Sequence, residues 1–345
     1  MVKTVLPLAF ALALAPVQLV RAQALAAVAP PCVSGGLTRY VCDVQTVEDM
    51  AAVPGGRWVV GSAMVAGAGG LYLIDTTTLK AHPARIVMGK PEAPYARCPG
   101  PPDMKTLRTH GIDLRPDKGR ATGTIYAVAH GARESVEVFK IDASGPEPKV
   151  TWRGCVVLPK NASGNAVVGL PDGRIVVSKF IDADDDQGIV HVLSGQITGE
   201  VYIWTPGKGF EEVPGTELSG DNGLLVSKDG QWLFVNDYGH KAVYKVPLGR
   251  SGEIQHVATD FRPDNLRWAP DGQIIATGQY INLDNRSDLH GWAAVKIDPE
   301  TLRATPYLKV AGSPAFDNGT TTLTVGGDLY IGTYRGDRVA VIPAP

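Results

Sequence analysis

The chain has 345 residues, with 33 lysines and arginines against 35 aspartates and glutamates, 44% hydrophobic residues, 40 glycines and 26 prolines. A near-neutral balance with no basic run excludes the electrostatic footprint of a nucleic-acid binder and of a polybasic membrane-surface patch. A small, uncharged or mildly polar molecule is the expected partner.

The opening MVKTVLPLAFALALAPVQLVRAQALA places Lys3 before an apolar stretch, followed by small residues around Ala22 and Ala24. That order is an export signal with its cleavage site. The apolar stretch is shorter than the ~20 residues of a membrane span and holds a proline, so no stable span is expected after cleavage. Residues 1–24 are read as a signal peptide and residues 32–345 as the mature domain, exported to a periplasmic or extracellular space.

Four cysteines follow, Cys32, Cys42, Cys98 and Cys155, with no C-x-x-C pair. They suit disulfides in an oxidising compartment better than zinc or redox chemistry, and they allow three pairings. Joining Cys32 to Cys42 and Cys98 to Cys155 keeps each link local and is favoured.

From residue 47 onward a turn followed by a short β-rich run recurs six times, as VPGGRWVVG, RPDKGRATGTIYAV, LPDGRIVVSK, SKDGQWLFVN, APDGQIIATG and TVGGDLYIGT. Turn residues followed by Val, Ile, Tyr and Trp are the signature of strand, tight turn, strand. No mature segment shows a long helical period. Six such units fit an all-β, six-bladed β-propeller of four-stranded blades, with a sandwich or solenoid as the alternative.

Six residues before Pro54, Pro116, Pro171, Lys228, Pro270 and Val325 stand Glu48, His110, Asn165, Asn222, Asp264 and Gly319. In a propeller these equivalent positions converge on the central channel. A ring of Glu48, Asn165, Asn222, Asp264 and the adjacent Asn265 has no Lys or Arg at the matching position, and unpaired buried carboxylates are costly. A cation resolves this, and an all-oxygen donor set favours Ca²⁺ over Mg²⁺. Gly319, without a side chain, would leave one side of the ring open to substrate.

The stretch THGIDLRPDKGRATGTIYAVAH reads as a hairpin carrying His110 and His130 near its two ends. DADDDQG at 182 has its glycine one place late for a calcium loop and no closing glutamate, so it reads as a solvated loop. No G-x-S-x-G elbow is present for serine-esterase chemistry. Phe180, Trp204, Tyr238 and His240 follow strands and are candidates for a specificity-determining roof.

Several segments, in order and spacing, resemble the calcium-dependent paraoxonase and arylesterase family, which is related more distantly to gluconolactonases and diisopropyl fluorophosphatase. These are VEDMAAVPGGRWVVGS, THGID, IYAVAHGARESVEVFKID, GNAVVGLPDG, DNGLLVSKDGQWLFVNDYGHKAVYKV, RPDNLRWAPDG and GTTTLTVGGDLYIGTYRGDRVAVI. The resemblance implies that Glu48, Asn165, Asn222, Asp264 and Asn265 hold a catalytic calcium and that His110 and His130 are the family's histidine pair. It also implies a second calcium on Asp49 and the carbonyl of Ile112, although Ala166 stands where a further Asp is expected. No cysteine follows Cys155, so the family's end-to-end disulfide cannot form in the same way.

The resemblance therefore predicts a calcium-dependent hydrolase that opens lactones, with aryl esters and organophosphates as further substrates. His110 would act as general base, with His130 orienting it or relaying its proton. Glu48 or Asp264 could activate water instead, or Asp264 could attack directly. Two other readings are carried forward: a gluconolactonase-type sugar lactonase with a carboxylate base, and a non-catalytic propeller whose calcium is structural.

Overall fold

The computed structural model of the chain describes Met1 and residues 30–68, 70–284 and 288–345. Apart from Met1, the expected signal peptide lies outside these residues. Each repeat forms an antiparallel meander whose first strand lies innermost, and six such sheets make the propeller.

The inner strands are Met50–Ala52, Arg108–Pro116, Ala162–Gly169, Asp221–Val226, Arg262–Trp268 and Gly319–Val325. Each packs against the next around the axis, and the last returns to the first. The second blade has a fifth strand, Ile86–Met88, added in parallel to its outer strand Lys149–Val157. Among the described residues the single α-helix is Gly188–Leu193, between the second and third strands of the third blade. No helix among them is long and apolar enough to cross a membrane.

The apolar core lies between blades. Trp58, Leu71 and Leu73 of the first blade pack with Ile125, Phe139 and Trp152 of the second. Leu224 and Val235 of the fourth pack with Val176 and Val201 of the third. Strands buried on both faces read as continuous Val, Ile and Leu runs, which is why the sequence shows runs more often than strict alternation.

The ring closes by strand pairing. Arg39–Val41 pairs with Val339–Pro343 as the outermost strand of the last blade, with Tyr40 opposite Ala340. The Cys32–Cys42 disulfide brackets this strand. Buried Arg338 donates to the carbonyls of Pro30 and Pro31 at 2.7 and 3.3 Å. The second disulfide is Cys98–Cys155, so both local pairings are present.

Candidate active site

Five of the six inner strands carry a register irregularity at the ring position. The breaks fall between Thr109 and Ile112, Gly164 and Val167, Asp221 and Leu224, Pro263 and Asn265, and Gly319 and Thr322. A bulge re-aims a side chain that would otherwise face a neighbouring blade. His110, Asn165, Asn222 and Asp264 sit in the first four of these breaks and line the channel with Glu48.

Small residues let the bulged strands close up. A Cβ on Gly111 would stand 2.4 Å from the Asn165 carbonyl oxygen, and one on Gly223 would stand 2.3 Å from that of Asp264. Polar residues on the second strands satisfy the backbone groups the bulges free. Ser62 Oγ accepts from the Glu48 and Asp49 N–H groups at 3.2 and 2.9 Å. Ser178 Oγ accepts from Ala166 N–H at 2.9 Å and donates to the Asn222 carbonyl at 2.8 Å. Asn236 donates to the Asp264 carbonyl at 2.7 Å.

Glu48 and Asp264 are 1% and 5% exposed. Burial, then repulsion from Asp264 and Asp49, holds the Glu48 carboxyl well above the usual range. Burial, with repulsion from Asp49, pushes Asp264 up to about 7 against the hydrogen bond from Gln279. Three oxygens of this ring, Glu48 Oε2, Asn165 Oδ1 and Asn222 Oδ1, are buried and accept no hydrogen bond. Orphaned buried acceptors around two mutually repelling carboxylates fit a hard divalent cation, which would satisfy all of them at once. Asn265 instead reaches the ring through Glu48, donating from its amide to Oε1. Gln279 donates to Asp264 Oδ2 at 2.7 Å and to the Gly319 carbonyl at 2.9 Å, and accepts from the Tyr238 hydroxyl at 2.8 Å.

The two histidines meet as the hairpin predicts. His110 Nδ1 lies 3.1 Å from His130 Nε2, and His130 Nδ1 lies 2.9 and 2.8 Å from the Glu134 carboxylate oxygens. A carboxylate accepts only, so His130 donates from Nδ1 and its Nε2 accepts from His110 Nδ1. That tautomer leaves His110 Nε2 with a free lone pair, 3.8 Å from Glu48 Oε2. Burial first, then His130 and Arg108, holds the His110 imidazole well below its usual value, hence neutral.

Above the ring opens a cavity of about 840 Å³. Its wall beyond the ring is mostly apolar and aromatic, with Met64, Phe180, Ile189, Tyr238, Ile281 and Leu283, and carries Asp284 and Arg335 as its charged members. Phe180 and Tyr238 are thus where the roof was expected. Trp204 is not, because it stacks on Tyr95 in a separate groove at 5.8 Å. His240 turns away to Asp237, with 2.9 Å between Nδ1 and Oδ2. Gly319 does not open the ring either: a Cβ there would meet the Trp292 ring at 2.6 Å, so the glycine serves packing.

The second calcium implied by the family resemblance does not fit. Asp49 and the Ile112 carbonyl are already bound by the guanidinium of Arg267, which donates to Asp49 Oδ1 and, at 3.0 Å, to Ile112 O. Glu134, Gln279 and Arg267 were not anticipated from sequence. DADDDQG is a loop whose Asp185 pairs with His191 at 2.8 Å.

Residues 119–286, a little under half of the chain, match the family model described as SMP-30/Gluconolactonase/LRE-like region. No curated protein sequence matches the chain. Among solved structures, a protein provisionally described as a gluconolactonase is 18% identical over 90% of this chain and 93% of its own, with a TM-score of 0.56. A luciferin-regenerating enzyme is 13% identical over 90% and 96%, with a TM-score of 0.57. The calcium-binding protein regucalcin of Agrobacterium tumefaciens is 10% identical over 88% and 92%, with a TM-score of 0.54. At these identities the likeness is one of fold.

Proposed function

We propose that the protein is an exported, calcium-dependent lactone hydrolase of the gluconolactonase-like propeller group, with aryl esters as further substrates. The observation that carries this is the set of orphaned oxygens, Glu48 Oε2, Asn165 Oδ1 and Asn222 Oδ1, facing a cavity beside the free Nε2 of His110. The matching family model and the name of the gluconolactonase-like fold relative support the substrate class, and the calcium-binding relative supports the ion.

Glu48, Asn165, Asn222 and Asp264 would hold the ion, with Asn265 supporting Glu48. When bound, the ion supplies charge that polarises the scissile carbonyl and stabilises the oxyanion formed on attack. His110 Nε2 takes a proton from water as its oxygen bonds to the lactone carbonyl carbon. The imidazolium is stabilised through His130 by Glu134, and the proton passes to the ring oxygen as the C–O bond breaks. Gln279 fixes Asp264 in one orientation, and the apolar wall of Phe180, Ile189 and Ile281 receives the hydrocarbon part of the substrate.

A carboxylate base is the second reading, favoured by one observation: burial holds the His110 imidazole well below its usual value, which weakens it as a base. Two disulfides agree with an oxidising compartment and with export.

Hydrolysis of lactones and aryl esters should be lost in excess chelator and restored by Ca²⁺ better than by Mg²⁺. Turnover that survives chelation sinks the metal reading. If turnover depends on Ca²⁺ but His110→Gln works at the parent rate, the carboxylate base moves to the front.

A further inference from the structure

The floor of the channel has a second buried carboxylate whose oxygens, unlike those of Glu48, are fully engaged. Asp49 Oδ2 accepts from Ile112 N–H at 2.9 Å, and Oδ1 accepts from Met50 N–H at 2.8 Å and from Arg267 Nη2. The same guanidinium donates from Nη2 to Ile112 O at 3.0 Å, from Nε to Met50 O at 3.0 Å and from Nη1 to Leu266 O at 2.7 Å. Its side chain is 16% exposed and that of Asp49 is 2% exposed.

A carboxylate with two carbonyl oxygens from different blades is the donor chemistry of a hard-cation cradle. An arginine that fills every one of those acceptors does an ion's work with a charge that cannot dissociate. We propose that Arg267 is the built-in cation of the channel floor, standing where a divalent ion would otherwise neutralise Asp49 and tying the inner strands of the first, second and fifth blades beneath Glu48. The channel thus has two tiers: a fixed cation below, and an open oxygen ring above for an exchangeable one. Arg267 is a positioning residue: it makes no hydrogen bond to the ring side chains and meets them through the backbone of residues 48–50 and 264–267 and through its charge beside Glu48.

The test uses melting temperature in excess chelator, so it is independent of turnover and of the proposed lactone chemistry. Arg267→Met leaves a buried aspartate unpaired and should lower Tm by about 5–15 °C. Adding Asp49→Asn should recover about half or more of that loss, because the charge needing the cation is gone. A single variant that melts with the parent overturns the proposal. So does a double variant no more stable than the single one, including the case in which neither folds.

Arg267→Ala provides a second readout with methylguanidinium as the probe. Millimolar methylguanidinium should raise its Tm and leave Asp49→Asn/Arg267→Ala unmoved. No response, or an equal response from both, overturns the cation cradle.

Discussion

His130 faces a base on one side and a carboxylate on the other, and its two nitrogens cannot be exchanged. Glu134 fixes the proton on Nδ1, so His130 accepts from His110 and leaves His110 Nε2 free toward the cavity. Without Glu134, His130 could carry its proton on Nε2 and donate to His110, which would then protonate on the cavity side and cease to be a base. His110→Gln is accordingly expected to lower lactone turnover by about 10²-fold or more, His130→Gln by less, and Glu134→Ala by roughly 10-fold. Calcium affinity, measured by titration, should stay with the parent in all three. Equal losses of affinity and turnover would make the histidines structural. The ring residues were legible because each stands at one offset from a turn. Glu134 was not, because its partner is four places back across a turn where no repeat marks it.

The inner strand is the element that makes the site, and its bulge is the device. A regular strand with the same residues would turn Asn222 or Asp264 toward a neighbouring blade. Gly223 is one of the tight points of this geometry, since a Cβ there would stand 2.3 Å from the Asp264 carbonyl oxygen. Gly223→Ala should therefore displace Asp264, lowering stability by about 1–3 kcal/mol and weakening Ca²⁺ binding together. Gly327→Ala is the control: a Cβ there meets nothing within 4 Å, and Tm should hardly move. A Gly223→Ala protein that melts and binds calcium as the parent does would show that the inner strands slide freely. The strands were readable as turn plus apolar run, whereas the bulges have no composition of their own. Their polar supports left a trace in the repeat: eight places beyond Pro54 and Lys228 stand Ser62 and Asn236, and seven beyond Pro171 stands Ser178. Arg267 was hidden for another reason. It follows Asp264 by three residues, and no other blade has an arginine at that offset from its ring position, so repetition could not reveal it.

The whole molecule gathers carboxylates from sequence-distant blades onto one axis, and folding must hold them there. Strand pairing by Arg39–Val41 closes the ring, and the inner strands then bring Glu48 and Asp264 together in a buried space. In the metal-free chain both carboxyls sit above their ordinary values, Asp264 at about 7. The folded chain therefore binds more protons than the unfolded one between the ordinary carboxylate range and that value, and stability falls as pH rises through it. His110 acts in the opposite sense: its lowered value makes folded stability fall as pH drops below its ordinary 6.5. His110 still offsets part of this near pH 6.5, where half of the unfolded chains carry its charge, and the buried Asp221 carboxyl, also held well above its usual range, acts in the same sense as the two ring carboxylates. Between pH 6.5 and 8 the chelated protein should lose roughly 1 kcal/mol from Asp264 alone, a few degrees in Tm, with Glu48 adding to it. With Ca²⁺ present the carboxylates stay ionised throughout, so Tm should be higher and nearly flat over the same interval. Calorimetric scans at the two pH values, with and without chelator, make the comparison. A chelated protein that melts equally at both would mean that the two carboxylates do not share the channel as a repelling pair, and the case for an ion in the ring would fall with them.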